Sequence, residues 1–375
     1  MRHELHRLID ANLNRAAEGL RMLGEIARFV VEDYPLADTA REIRRALHGI
    51  AAGRIGRGEE AILERDSEGD IGRGFSANRH QSLVDLCRAN ARRAEESLRV
   101  LEETHRTIDV ETAQRFSDLR YRTYTLEKTL VERLAPYDIA RKLDFSLYVV
   151  LGRKQSRGRD FLEVTRAAIA GGAGAIQLRD KEMNKRELLD WAKRLRDLTA
   201  EAGVTFLIND HLDMALASGA DGVHLGQSDF PIPEARQLAG PSMIIGASSH
   251  SLDEALRAAQ EGASYVNVGP IFPTATKEGV HPPVGPKLIA EVLKQIAVPI
   301  TVMGGISLSN VDLVLAQRAR HVAVVSAVVG AEDITSAAAA FRARIEAAKQ
   351  LDLQSQSESP EQTPEGVSPP QAGGD

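Results

Sequence analysis

Six short segments in the second half of the chain carry residues that together can hold a divalent cation and two phosphate groups. They are QLRDK with Arg179 and Lys181, LIND ending at Asp210, HLGQSD ending at Asp229, PTATK with Thr274, Thr276 and Lys277, GGI at Gly304, Gly305 and Ile306, and VS at Val325 and Ser326. Asp210 and Asp229 close consecutive apolar runs. Two carboxylates so placed can bind one Mg2+ and leave its other positions to water and phosphate oxygens. A lone Asp before a helix more often caps that helix, but here the neighbouring segments point the same way. Arg179 and Lys181 alternate along an extended chain, so both can face one side while Asp180 turns away. The guanidinium forks onto phosphate oxygens and the ammonium adds a compact charge. The plainer alternative is an exposed ion pair with Asp180 or Glu182. Thr274 and Thr276 offer hydroxyls and Lys277 a charge, on a loop stiffened by Pro270 and Pro273. The glycines at 304 and 305 let a phosphate approach backbone amides closely.

Two anionic groups are implied. One is a diphosphate near Mg2+, Arg179 and Lys181; the other is a monophosphate near the last three strands. That combination fits a transferase joining two phosphorylated substrates, and no nucleophile is paired with a base.

These residues need a scaffold that brings distant segments to one place. From Phe145 onward, eight apolar runs alternate with helical segments: SLYVVL, AIQLR, TFLIN, GVHLG, IIGAS, YVNVG, PITVM and HVAVV. Short, continuously apolar strands between amphipathic helices imply a parallel sheet covered on its outside, and eight imply a (β/α)8 TIM barrel whose strand ends converge on one face. GGI and VS then fall at strands seven and eight, the usual phosphate corner of that fold. An alanine-rich helix from Ser336 to about Lys349 closes the barrel.

The first 136 residues have no strand-like runs. Leu13, Ala16, Leu20, Leu23 and Ala27 recur at helical spacing, so this part is expected to be an all-α helical domain. ANLNRAAEGLRMLGE from Ala11 returns as ANARRAEESLRVLEE from Ala89, an internal duplication. The copies are separated by RDSEGDIGRGFSANRH, whose Gly69, Gly72 and Gly74 break a helix. Ala135, Pro136, Tyr137 and Asp138 mark the expected domain boundary, with a linker over 137–144 and the barrel over 145–349. Residues 350–375, made of Ser, Gln, Glu, Pro and Gly, have little to bury and are expected to be a disordered tail.

Bulk properties narrow the class. A chain of 375 residues that is 43% hydrophobic can fill two cores. A net charge of -6 and a pI near 6.0 argue against a nucleic-acid partner. Cys87 is the only cysteine, which excludes an internal disulfide or a cysteine-based zinc site and suits a cytoplasmic location. No segment has the ~20 apolar residues of a membrane span. His3, His6, His48, His80 and His105 show no metal-binding spacing. Trp191 and Leu195 share a helix face expected to pack on the barrel.

Over residues 144–347 the motifs QLRDK, LIND, GVHLGQSD, GASSH, VGPIFPTATK, GGI and VVS follow the order found in thiamin phosphate synthases, and the chain resembles that family. The resemblance implies alkylation of a thiazole phosphate by 4-amino-2-methyl-5-hydroxymethylpyrimidine diphosphate with release of pyrophosphate, by a dissociative route. It implies that Gln177, Arg179, Lys181, Asn209, Ser248 and Lys277 contact the pyrimidine diphosphate. Arg179, Lys181, Ser248 and Lys277 would be the catalytic residues. Asp210 and Asp229 would hold Mg2+, while Thr274, Thr276, Gly305, Val325 and Ser326 would receive the thiazole phosphate. The chain departs from the family pattern at Arg318–His321, before the last strand and away from the mouth, and at His211, expected to start a helix.

A related barrel is a thiazole tautomerase, an isomerase needing no diphosphate site; with it the first domain would be a structural docking module. QLRDK, both aspartates and PTATK disfavour that alternative. The duplicated helices resemble a domain fused before the synthase in some bacteria, including cyanobacterial-type enzymes, and related to an alternative hydroxymethylpyrimidine phosphate kinase. Asn12, Arg15 and Glu18, with Asn90, Arg93 and Glu96, could then line a pseudosymmetric polar site, or equally form exposed ion pairs. Asp66, Asp70, Gly72 and Gly74 would bind Mg2+ and phosphate. No P-loop signature is present.

Overall fold

The computed structural model describes residues 2–54, 80, 82–274 and 281–357. The chain divides at Lys142 and Leu143 into two compact units, with the short segment Leu238–Met243 grouped with the first.

The first unit is all helical: α1 (Arg2–Phe29), α2 (Tyr34–Arg54), α3 (Leu83–Arg106) and α4 (Val110–Leu143). Each helix buries one stripe. Ile9, Leu13, Ala16, Leu20, Leu23 and Ala27 of α1 join Ala40, Ile43 and Leu47 of α2, Ala91, Ala94 and Leu98 of α3 and Phe116, Leu126 and Leu130 of α4 in one core. Helix α1 packs along both α2 and α3. Gly19 permits the second approach, because a Cβ there would lie 2.5 Å from the Asn90 carbonyl oxygen.

The duplication is visible in three dimensions, but its copies differ in chemistry. Asn12 and Asn90 sit at matched places, both buried, donating to Leu8 O at 2.8 Å and Leu86 O at 2.9 Å. Arg15, Glu18, Arg93 and Glu96 are exposed. Where α1 has Ile9, Ala17, Gly24 and Ala27, α3 has Cys87, Glu95, Glu102 and His105. A Cβ added at Gly24 would lie 3.4 Å from the Ala40 methyl of α2. Glu102, its counterpart, is buried and receives Arg99 at 3.0 Å, Arg106 at 2.9 Å and Arg120 of α4 at 3.0 Å. His105 stacks obliquely on Phe116, ring centroids 4.9 Å apart. Burial foremost, with the Glu127 carboxylate next, pushes Glu95 up to about 7 and the Cys87 thiol up to about 12. Glu95 Oε1 has no hydrogen-bond partner among the described residues.

The expected boundary at 135–138 is displaced. Helix α4 runs through Pro136 to Leu143, so the segment taken for a linker is mostly helix. Proline there removes one backbone hydrogen bond, yet two tertiary contacts favour continuation. Leu134 and Ala135 are buried, and the Asp138 carboxylate accepts from the Leu83 and Val84 amides at 3.2 and 3.1 Å, capping α3. The glycine-rich segment with Asp66, Gly69, Asp70, Gly72 and Gly74 lies outside the described residues.

The second unit is a closed parallel barrel in the order β1 to β8: β1 (Leu147–Leu151), β2 (Ala175–Leu178), β3 (Thr205–Asn209), β4 (Gly222–Leu225), β5 (Ile244–Ser249), β6 (Tyr265–Val268), β7 (Ile300–Val302) and β8 (Val322–Val324). All eight apolar runs are strands. Between and after them stand α5 (Phe161–Ala170), α6 (Lys185–Ala202), α7 (Leu212–Ser218), α8 (Ile232–Ala239), α9 (Leu252–Gln260), α10 (Lys287–Leu293), α11 (Val311–Leu315), α12 (Ser326–Val329) and α13 (Ile334–Ser357). Trp191 of α6 packs against Phe161 of α5 at 5.1 Å, and Leu195 is buried. Helix α13 packs on α5 and β1 and is longer than the composition implies. An Arg320–Asp352 ion pair holds its extension, so the first part of the expected disordered tail is helix. Residues 358–375 lie outside the described residues. Arg318–His321 enter β8 from the end opposite the mouth, where His321 bonds the Phe145 carbonyl. No helix among the described residues is long and apolar enough to cross a membrane.

A carboxyl whose folded pKa is raised contributes fully below its unfolded value, near 4.5, and loses that contribution as pH rises through about 7. Glu95→Gln should therefore unfold at higher temperature than the parent at pH 8 and match it at pH 5, in calorimetric scans of the full chain. An equal shift at both pH values would contradict the assignment.

Candidate active site

The strand ends deliver two groups of side chains to one face. The first is acidic and basic together. Asp210 follows β3 in the left-handed region at φ 64, which Asp tolerates better than most residues, and its amide donates to the His224 carbonyl at 2.8 Å. It does not cap α7. The cap position is His211, which makes no side-chain cap bond. Asp229 closes the turn after β4, its Oδ2 accepting from the Gly226 amide at 2.6 Å. Burial first, then the adjoining Asp229 carboxylate, push Asp210 up to about 6, while Lys181 and Arg179 pull the other way. Lys181 Nζ lies 3.8 Å from Asp210 Oδ2. Asp180 points elsewhere, accepting from the amides of Arg153 at 2.8 Å, Glu182 at 3.0 Å and Met183 at 2.9 Å. Two facing carboxylates with oxygen donors fit a hard divalent cation that keeps most of its ligands as water and phosphate oxygen. Among the described residues no cluster of three or more His, Cys, Asp or Glu side chains could hold a metal.

The second group lines a cavity of about 630 Å3. Arg179, Ser248, Thr274, Gly305, Val325 and Ser326, all singled out in the sequence, border it. Gly304 and Gly305 have φ 101 and 65, and a Cβ on either would come within 2.6 Å of Pro270 or Pro273. Asn310 locks the turn by donating to the Gly305 carbonyl at 2.9 Å and accepting from the Ser307 amide at 2.8 Å. Thr276 and Lys277 lie outside the described residues. Asn209 ends β3, half-buried. Arg179 is common to both groups, bordering the cavity and acting on Asp210.

Gln177 sits deeper than its neighbours in the motif. It is 1% exposed and donates to the Tyr148 hydroxyl at 2.6 Å. From there hydrogen bonds cross the barrel interior: Tyr148 to Tyr265 at 3.2 Å, Tyr265 to His224 Nδ1 at 2.8 Å, and His224 Nε2 to Ser248 Oγ at 3.0 Å. Burial raises both tyrosine hydroxyls above their usual range. Ser248 is thus fixed from below by residues on four other strands. Gly246 makes room, since a Cβ there would lie 2.2 Å from the Tyr265 ring. Sequence reasoning singled out Gln177 and Ser248 as substrate contacts but missed the chain that joins them, because Tyr148, His224 and Tyr265 read as ordinary strand residues. It also missed Lys154, Gln155, Arg157, His250 and His281, which border the cavity. His250 stacks on His281 at 3.9 Å and bonds Glu254 at 2.9 Å. The only signal for Lys154 and Arg157 was the density of cations in GRKQSRGR.

With this geometry in view, the comparisons with known proteins are decisive. A family described as thiamine monophosphate synthase matches residues 147–328. A thiamine-phosphate synthase of Gloeobacter violaceus is 38% identical over 343 residues, 90% of this chain and 96% of the relative. The chain belongs to the thiamine-phosphate synthase family. Another family member, from Shouchella clausii, is 46% identical over 55% of this chain and 99% of its own length, so it covers only part of this chain. A solved thiamine phosphate pyrophosphorylase from Pyrococcus furiosus superposes with a TM-score of 0.51 at 38% identity, covering 56% of this chain and 98% of that one. The helical unit matches the ThiD2 family over residues 7–129.

Tyr265→Phe should leave the Tyr148 hydroxyl and His224 Nδ1 without their shared partner. Losing a buried partner costs about 1–3 kcal/mol, so the barrel should unfold at lower denaturant concentration with an unchanged m-value. A neutral outcome would show that the interior chain is dispensable.

Proposed function

We infer that the barrel joins 4-amino-2-methyl-5-hydroxymethylpyrimidine diphosphate to a thiazole phosphate, forming thiamine phosphate and pyrophosphate. Membership of the synthase family supports this reading, and one observation of geometry carries it. Arg179 stands between a carboxylate pair suited to a metal-bound diphosphate and a glycine-walled cavity suited to a monophosphate. An isomerase would need the second feature without the first, and the full-length relatives favour the synthase.

In the reaction the bond between the pyrimidine methylene and the diphosphate oxygen breaks, and its electron pair leaves with pyrophosphate. The methylene cation is stabilised by the aminopyrimidine ring, and the thiazole nitrogen lone pair then forms the new carbon–nitrogen bond. Arg179 and Lys181 take up negative charge as it grows on the departing oxygen, a role in which preorganised cations outperform water. Lys277 joins them on the strength of its motif. Ser248, held by His224, and Asn209 orient the pyrimidine, while Gln177 braces Ser248 through the interior hydrogen-bond chain. Thr274, Thr276, Ser326 and the amides of Gly305 and Val325 receive the monophosphate. Asp210 and Asp229 would hold Mg2+, which when bound supplies further positive charge to the diphosphate oxygens. A cytoplasmic setting suits both phosphorylated substrates.

For the helical unit we extend the same reading to phosphorylation of the pyrimidine monophosphate, supported by its ThiD2 match and by the resemblance noted in its duplicated helices. Docking or oligomerisation is the competing role. Mass-spectrometric detection of thiamine phosphate tests both units. The full chain with thiazole phosphate and Mg2+ should form product from pyrimidine diphosphate, and also from pyrimidine monophosphate plus ATP. Product from the diphosphate alone would remove the kinase assignment, and product from neither would remove both.

Asp210→Ala and Asp229→Ala should each cut turnover by roughly a hundredfold or more, with the circular dichroism spectrum unchanged. Chelation of Mg2+ should abolish product formation in the parent. Near-normal Mg2+-dependent rates in either variant would refute its metal role.

A further inference from the structure

The residues assigned to the thiazole phosphate are all neutral: threonine and serine hydroxyls and backbone amides. A phosphate monoester brings up to two negative charges, and hydroxyls with amides leave most of that charge uncompensated in a partly enclosed cavity. The diphosphate, by contrast, has Arg179 and Lys181. Arg179 borders this cavity as well, and other cations on its wall would add to what one guanidinium can supply to both phosphates.

The loop after β1 contains four cations within GRKQSRGR, and the structure divides them into two kinds. Arg153 pairs with Glu187. Arg159 donates to the Ser156 carbonyl at 3.1 Å, the Ala331 carbonyl at 2.8 Å and the Val329 carbonyl, which bolts the loop to the segment following β8. Lys154 and Arg157 have no ion pair or hydrogen bond among the described residues, and both border the cavity. Strand β1 pairs with β8 on one side and β2 on the other. Its loop therefore emerges beside Val325 and Ser326, which border the same cavity.

The backbone holds this arrangement at some cost. Arg157 occupies the left-handed region at φ 53, rare for a non-glycine residue, and Gly158 follows at φ 76. Hydrogen bonds from the Ser156 amide to Gly152 O at 2.9 Å and from the Arg159 amide to Ser156 O at 3.0 Å enclose that turn. Unusual backbone of this kind persists where its surroundings over-determine it, and it concentrates at ligand clamps.

We propose that Lys154 and Arg157 form a cationic clamp on the phosphate of the second substrate and set the preference of the site for a phosphorylated thiazole. The proposal rests on the synthase reading. Arg157 supplies a planar fork for two phosphate oxygens and Lys154 a mobile point charge. Their exposure at the rim also lets them draw the anion inward before it docks. The start of the loop is tied to the β2 side through the Arg153 amide and Asp180, while Arg159 ties its end to Val329 and Ala331, beside the monophosphate corner that Arg157 adjoins.

The test uses the full chain, its Lys154→Ala, Arg157→Ala and double variants, and Arg157→Lys as the conservative control. Each is assayed with thiazole phosphate and with the corresponding unphosphorylated alcohol. In the double variant KM for the thiazole phosphate should rise roughly tenfold to a hundredfold, the range for removing charge-assisted hydrogen bonds. KM for the pyrimidine diphosphate should stay within about twofold, since its cations are untouched. The advantage of the phosphate over the alcohol should shrink by the same factor as KM rises, and Arg157→Lys should restore part of it. Equal losses for phosphate and alcohol, or a loss confined to the diphosphate, would overturn the clamp. Calorimetric binding of thiazole phosphate and alcohol separates this from the activity itself. A chain that forms no product, yet binds the phosphate more tightly than the alcohol and loses that preference in the double variant, would sink the synthase reading and keep the clamp. Binding with no preference in the parent would sink the clamp.

Discussion

A closed eight-stranded barrel has to fill its own interior, and here much of that filling is polar. Gln177, Tyr148, Tyr265, His224 and Ser248 come from five strands, and each satisfies a neighbour that would otherwise be a buried, unpaired group. Such a chain is tolerable only when complete, because the low dielectric that strengthens each bond also penalises each omission. Its completeness depends on the strand register, on the missing side chain at Gly246, and on one orientation of the His224 ring. In return it transmits the rigidity of the barrel to Ser248, at the edge of the cavity. The mouth is positioned by the middle of the barrel, and the loops decorate a frame already fixed beneath them.

How much of this was legible in the sequence depends on the range of the interaction. The eight strands were visible because continuous apolar runs reflect burial on both faces, a local property. Asp210, Asp229, Arg179 and Lys181 were visible because each sits within four residues of the end of its strand, where convergence is dictated by topology. The extent of α4 was not, because Pro136 is a strong local breaker and what overrides it, the Asp138 bonds to Leu83 and Val84, joins residues far apart in sequence. The end of α13 was missed for a similar reason: Arg320 holds Asp352 across the fold. The interior hydrogen-bond chain was invisible because nothing local marks a tyrosine that meets a histidine two strands away.

The cavity carries the same lesson in its charges. Motif reasoning singled out hydroxyl- and amide-bearing residues that border the cavity, since those cluster in glycine-rich turns. It did not sort the cations of GRKQSRGR, because which of them is tied down depends on partners in other loops: Glu187 for Arg153, and the carbonyls after β8 for Arg159. Only after those two are accounted for does the role of the remaining pair stand out.

The helical unit shows what becomes of two copies of one helix when their neighbours differ. The first copy has glycine, at Gly24, where the second has Glu102, which receives Arg99 and Arg106 of its own helix and Arg120 of α4, while His105 lies against Phe116. The copies are therefore no longer interchangeable parts. A chain built from the first copy twice would keep a packed seam and lose every ionisable group along it. One built from the second twice would bring Arg99 and Arg106 along with its buried glutamate and lack the third arginine, which α4 supplies. Symmetry survives in the backbone while the side chains have parted into an apolar half and a half that carries buried ionisable groups.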